Sequence, residues 1–193
     1  MSESVILVSM ISKENDYSSI EELKRLSTTA GGIVKDIITQ KSDHPSPRTF
    51  IGSGKIEILK ARCDEIKPDL VIFNNNLSGA QIRNIEKLIN VRVIDRTELI
   101  LDIFSQNAKT KEGRLQVELA QMKYKLPRLK RLWTHLSRQA GGTVGGGGGI
   151  GVRGRGEKQI EEDKRYIREK IFVLEEKIKQ IRTYREIQRH RRN

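Results

Sequence analysis

Two long segments whose apolar residues recur every three or four positions flank a glycine run, AGGTVGGGGGIGVRGRGE at 140–157, and this succession constrains the fold more than any other feature. Leu115, Leu119, Met122, Leu126, Leu129 and Trp133 step by 4, 3, 4, 3 and 4, while Ile160, Ile167, Ile171, Leu174, Ile178 and Ile181 step by 7, 4, 3, 4 and 3. Each set draws a narrow apolar stripe along one face of a helix, the second running from about Glu157 to Arg189. A stripe this narrow needs a partner. Because the chain reverses between the two, the expected arrangement is a long antiparallel helical hairpin with coiled-coil-like packing. Pro127 is expected to end or kink the first helix near Lys125, since it removes a backbone donor and clashes with the preceding turn. Ten of the 16 glycines fall between Gly141 and Gly156. Glycine loses more backbone entropy on ordering than any other residue, so this stretch is expected to be neither helix nor strand.

The first 107 residues carry a different periodicity. Val5–Met10, Ile33–Thr39, Leu70–Phe73 and Val91–Asp95 read as strands, and runs such as VILV and LVIF are continuous instead of alternating, which suits strands covered on both faces. Amphipathic segments lie between them. Ser18 or Ser19 followed by Glu21 or Glu22 reads as a capping box, Ser53 as the cap of a helix bearing Ile56, Leu59 and Cys63, and Ser78 as the cap of one bearing Ile82, Ile85 and Ile89. Alternation of strand and helix predicts an α/β fold, a small mostly parallel sheet flanked by helices. Two domains follow: an α/β subdomain over residues 1–107, then the hairpin over 108–193 with its glycine-rich basic tip at about 138–156.

Charge separates along the same line. Residues 1–107 hold 14 basic and 15 acidic side chains, net −1, whereas 108–193 hold 23 and 10, net +13. From Leu119 to Gly156 there are eight cations (Lys123, Lys125, Arg128, Lys130, Arg131, Arg138, Arg153, Arg155) and no acid. A basic surface of this kind faces a polyanion, with nucleic acid the first candidate. No run approaches the roughly 20 apolar residues of a membrane span. MSESVILVSM lacks the basic start of a signal peptide, so a cytoplasmic location is expected. One cysteine, Cys63, excludes an internal disulfide; with His44, His135 and His190 it assembles no metal-ligand spacing, and its helical phase marks it as a core residue.

A glycine-softened basic loop brings backbone amides and guanidinium groups against phosphate and moulds itself to folded RNA. A plain linker between two helices is the other reading. Trp133 and His135 either stack on bases or, for Trp133, close the end of the seam. Arg182, Arg185, Arg189, Arg191 and Arg192 either touch RNA or pack near a following domain. Gly149, Gly151 and Gly154 match GxGxxG, but no strand precedes them and helix follows where a strand-end acid belongs. GSGKI at Gly52–Ile56 lacks the first glycine and the metal-binding hydroxyl of a P-loop, which leaves only a bare phosphate cradle at a helix start. An alternative function is nucleotide binding or hydrolysis by the α/β part, at the Gly-rich loop or beyond its strand ends near Asn74–Asn76 or Arg96. No nucleophile and base are paired to define a reaction.

FIGSGKIEIL at 50–59, NLSGAQIRNIEKLI at 76–89, VIDRTELILDIF at 93–104, VELAQMKYKLPRL at 117–129 and GGIGVRGRGEKQIEEDKR at 148–165 together resemble the successive blocks of the HflX GTPase N-terminal domain. The resemblance implies binding to the large ribosomal subunit, with the tip directed toward rRNA near the peptidyl transferase centre. It further implies a stress-response role in translation, splitting or rescuing ribosomes with GTP hydrolysis by a C-terminal domain absent from this sequence. GTP and magnesium are expected in that domain, so this chain alone is expected to lack GTPase activity and cofactors and to be monomeric. By position, the family's tip contacts fall on Arg138, Gly148, Gly149, Gly151, Arg153, Gly154 and Gly156. Charge adds Arg128, Lys130, Arg131 and Arg155 as RNA-binding candidates. The sequence departs from the family pattern at Arg155 for proline, at Lys158 and Ile160 for threonine and leucine, and in a longer glycine run.

Overall fold

The computed structural model describes residues 3–11, 17–129 and 151–190, with side chains described for 3–11, 18–129 and 161–189. The chain divides into two compact units, Met1–Ile103 and Phe104–Asn193.

The first unit alternates β1 (Glu3–Ile11), α1 (Tyr17–Thr29), β2 (Gly32–Lys41), α2 (Ser53–Ile66), β3 (Leu70–Phe73), α3 (Gly79–Ile89), β4 (Arg92–Asp95) and α4 (Arg96–Asn107), the last running past the division. All four strands are parallel, in the order β2-β1-β3-β4. Both faces of the sheet are buried, which accounts for the unbroken apolar runs. Ile6, Val8, Met10, Val71, Phe73 and Val93 pack with Ile56, Leu59 and Cys63 of α2 and Ile82, Ile85 and Ile89 of α3. Val5, Leu7, Leu70, Ile72 and Ile94 pack on the other side with Leu23 of α1 and Leu99 of α4. The crossover from β1 to β2 runs one way over one face, and those from β2 to β3 and β3 to β4 run the other way over the opposite face. A constant crossover hand requires this pairing of direction with face.

Buried polar groups are used where the strands stop. Asp95 is the N-cap of α4: its Oδ1 accepts from the Glu98 amide at 3.0 Å and its Oδ2 from the Leu77 amide at 3.2 Å. Glu86 of α3 accepts from the Val93 amide at 2.9 Å, which occupies a donor of edge strand β4. On the other edge, β2 carries a bulge at Lys35, since Val5 pairs with Val34 but Ile6 with Asp36.

Local signals were partly redirected. Ser78 caps α3 in a full capping box with Gln81. Ser53 does not cap α2, because Gly52 holds the N-cap position, its amide donating to Gln40 Oε1. Ser18 and Ser19 do not precede α1 but sit in its first turn; the Ser19 hydroxyl accepts from Asn74 Nδ2 at 2.8 Å. Cys63 is a buried core residue of α2 with a free thiol, as its phase implies.

In the second unit, Thr110 caps α5 (Lys111–Lys125), its hydroxyl accepting from the Gly113 amide. A 3-10 turn over Leu126–Arg128 follows, with Pro127 near its start, so the proline ends the regular helix where expected. The long helix α6 spans Gly151–His190, about 60 Å at 1.5 Å per residue. It starts six residues before Glu157, with Gly151, Gly154 and Gly156 inside it, contrary to the expectation that glycine would keep this stretch irregular. Nucleation is the unfavourable step in a helix. Extension onto an existing turn adds a hydrogen bond per residue and tolerates glycine's penalty of about 1 kcal/mol.

Candidate functional site

α5 and α6 pack side by side in opposite directions. Glu112, at the start of α5, meets Arg182 and Arg185 near the end of α6. Lys123 Nζ, near the end of α5, lies 2.7 Å from Glu175, and Lys170 Nζ lies 2.9 Å from Glu118. The hydrogen bond and charge of Glu118 hold the Lys170 ammonium above the usual lysine range. Individually such exposed pairs contribute little. Together they match each helix to one register of the other. Between them runs the apolar seam: Ile167, Leu174 and Ile178 of α6 are buried, Ile171 and Ile181 half-buried, against half-buried Leu115, Leu119, Met122 and Leu126 and buried Leu129.

Arg128 is not a free cation at the end of this stem. Its guanidinium lies over the Tyr124 ring at 3.8 Å, and its Nη1 donates to the Tyr124 carbonyl at 3.2 Å. It braces the 3-10 turn that follows α5. Lys130, Arg131, Arg138, Gly148 and Gly149 lie outside the described residues, as do Trp133 and His135. Gly151, Arg153, Gly154, Arg155 and Gly156 occupy the first turns of α6 in backbone. Gly151 and Gly154 are thus helical and not members of a turn between strand and helix, which removes the dinucleotide reading of GxGxxG.

The other candidate place lies beyond the carboxyl ends of the strands. The order β2-β1-β3-β4 puts a topological switch between β1 and β3, where open parallel sheets often hold ligands. Here the polar side chains engage one another. Asn74 Nδ2 donates to Ser9 and Ser19, and Arg96 donates to Asn74 Oδ1 at 3.3 Å and pairs with Glu22. Asn75 Oδ1 accepts from the Met10 amide at 3.0 Å, extending the β3 ladder by a side chain, and Asn76 Oδ1 accepts from Thr97. Sequence reasoning singled out Asn74–Asn76 and Arg96 but missed their bonds to Ser9, Ser19 and Glu22, because Asn74 and Ser9 are 65 positions apart and meet only once the sheet register is known.

An α/β layer followed by a helical hairpin, with charge concentrated on the second, defines a known class. Residues 17–105 match the family model described as GTP-binding GTPase N-terminal, and residues 107–192 the one described as GTP-binding GTPase Middle Region. The chain belongs to the HflX GTPase family, whose N-terminal and middle regions it represents. It is 48% identical over 190 residues to the GTPase HflX of Caldanaerobacter subterraneus subsp. tengcongensis, covering 98% of this chain and 43% of that protein. With the GTPase HflX of Escherichia coli K12 it shares 40% identity over 185 residues, 95% of this chain and 42% of the other. The chain therefore spans less than half the length of these relatives. A crystal structure of SsGBP with GDP superposes with a TM-score of 0.67 at 23% identity, over 95% of this chain and 45% of that one. A GTP-binding protein from Sulfolobus solfataricus, also with GDP, gives 0.60 at 22%, covering 95% and 46%. At that identity the likeness establishes the fold. Among the described residues no helix is long and apolar enough to cross a membrane.

Proposed function

We infer that this chain is the ribosome-contacting portion of an HflX GTPase, in which the hairpin presents its basic glycine-rich tip to rRNA of the large subunit near the peptidyl transferase centre. A GTPase domain of the longer protein, with GTP and magnesium, turns that contact into ribosome splitting or rescue under stress, in the cytoplasm. One observation carries the reading: cations of the stem meet acids of the facing helix, whereas the run from Leu119 to Gly156 brings no acid in its own sequence. Arg182 and Arg185 converge on Glu112, Lys170 on Glu118 and Lys123 on Glu175. From Leu119 to Gly156 the chain carries eight cations and no carboxylate of its own. A cation-rich, acid-free run beside a braced pair of helices is suited to phosphate contact. Arg138, Arg153 and Arg155 would carry most of it, with Lys130 and Arg131 at its root and Gly148, Gly149, Gly151, Gly154 and Gly156 permitting close backbone approach.

The test is binding of the chain to purified large subunits. With four phosphates neutralised, affinity falls on the order of 100-fold between about 50 and about 200 mM salt. Replacing Arg138, Arg153 and Arg155 by Glu abolishes most of that slope. Salt-independent binding, or binding unchanged by the triple substitution, refutes the reading.

A further inference from the structure

α6 carries a second line that α5 does not cover, apolar except at Gln180. Tyr166, Val173 and Ile187 fall on it at multiples of seven, and Tyr184 joins them three residues before the last. Tyr184 is 63% exposed and Ile187 47%, although both lie on a helix whose other face is packed. Beside them is a shallow, open hollow of about 360 Å³ walled by α6 alone, through Glu176, Lys179, Gln180, Thr183, Tyr184 and Ile187. A groove of about 470 Å³ shares Lys179 and Thr183 and continues to Leu119 and Ile178 at the seam. The two flank one ridge over the last turns of the helix. A tyrosine and an isoleucine on such a ridge, with open volume on both sides, have the shape of an unfilled interface core.

Three occupants compete. A second copy packing antiparallel about a two-fold axis would set each flank of the line against itself. Glu162, Glu169 and Glu176, each four residues before a member of the line and all exposed, would then meet one another. RNA is disfavoured as well, because Arg182 and Arg185 are drawn to Glu112 and the groove walls hold Glu176 and Glu186 beside Lys179. A protein domain continuing the chain fits the position. The middle-region match ends at residue 192, and in the relatives more than half of the length lies outside the part this chain matches. In a protein built in that order, whatever follows the middle region is joined to the chain within a few residues of Ile187.

We propose that the outward face of the last turns of α6, built on Gln180, Thr183, Tyr184 and Ile187, is the seat on which the GTP-binding domain of the longer protein docks, so that the domain grips the lever at its base. This rests on the reading of the chain as part of an HflX GTPase, but not on ribosome binding. Hydroxyl-radical footprinting tests it without ribosomes, comparing this chain with the same chain continued through its GTP-binding domain. Tyr184 oxidation falls roughly five-fold or more in the longer protein, as for a side chain entering an interface core. Phe172 and Tyr166, higher on the same helix, keep their reactivity, and Ile187→Glu in the longer protein restores that of Tyr184. Equal Tyr184 oxidation in the two proteins overturns the proposal, as does a loss shared equally by Phe172 or a Tyr184 protection that survives Ile187→Glu. Loss of ribosome binding with this footprint intact would sink the functional reading and leave the docking seat standing.

Discussion

Glu112, in the first turn of α5, accepts Arg185 of α6 at 2.5 Å and draws Arg182 to 3.9 Å, with only 14% of its own side chain exposed. One carboxylate thus pairs with two guanidinium groups at the base of the hairpin, and it also sits at a helix N-terminus, where negative charge is favoured. Replacing Glu112 by Ala leaves the two arginines facing each other across a partly covered site. The expected loss is about 1–2 kcal/mol of unfolding free energy, more than for an exposed pair. Urea denaturation of the single and double variants with Arg185→Ala measures the coupling. A coupling near zero would mean that the pair contributes no more than an exposed surface pair.

Asp95 is completely buried and accepts from two backbone amides, those of Leu77 and Glu98. It therefore ties the start of α4 to the loop before α3. Asp95→Ala leaves both donors without this partner and removes the cap, at a cost of about 2–4 kcal/mol. Asp95→Asn keeps one acceptor oxygen and loses less. The comparison is made by urea titration, and equal stability of the Ala and Asn variants would rule out this assignment.

How much of this was legible in the sequence depends on the distance over which each signal acts. The strands were readable because β1 buries both its faces, Val5 and Leu7 on one side and Ile6, Val8 and Met10 on the other. Ser78 was readable because its partner Gln81 is three residues away. Ser53 and Ser19 misled for one reason: tertiary partners, Gln40 for the Gly52 amide and Asn74 for Ser19, outbid the local cap. Arg128 was named as a nucleic-acid cation from charge; what charge did not report is that its guanidinium lies over the Tyr124 ring. The hairpin seam was written in the spacing of Ile167, Leu174 and Ile178, whereas the helical state of Gly151–Gly156 depends on the long helix below it, which composition does not report.

Lys67 closes α2 in the left-handed region, at φ 51°, its amide donating to the Cys63 carbonyl. A Cβ there meets a steric penalty of about 1 kcal/mol that glycine escapes. Part of the gain is offset by the greater freedom of glycine in the unfolded chain. Lys67→Gly is expected to stabilise the protein by about 0.5 kcal/mol, raising the thermal midpoint by a few degrees. Asn90, which closes α3 at φ 56°, already tolerates this conformation, so Asn90→Gly shifts the midpoint less. A drop in midpoint for Lys67→Gly would show that the lysine stem contributes packing that outweighs its strain.

Burial in the α2 core pushes the Cys63 thiol up to about 11, with the nearby Asp64 charge adding to the rise. The native state therefore favours the protonated form over the pH range where an exposed cysteine ionises, near 8.5. The thiol's contribution to stability is complete below the unfolded pKa and is lost as pH climbs through the folded one, so native stability declines between about 8.5 and 11. Alkylation by iodoacetamide at pH 8 reads the same effect kinetically, since only thiolate reacts. The folded chain is expected to react roughly 100-fold more slowly than the urea-unfolded chain, and Cys63→Ala is expected to flatten the alkaline decline in stability. Rapid labelling under native conditions, at the rate of the unfolded chain, would place Cys63 outside the core that α2 and the sheet enclose.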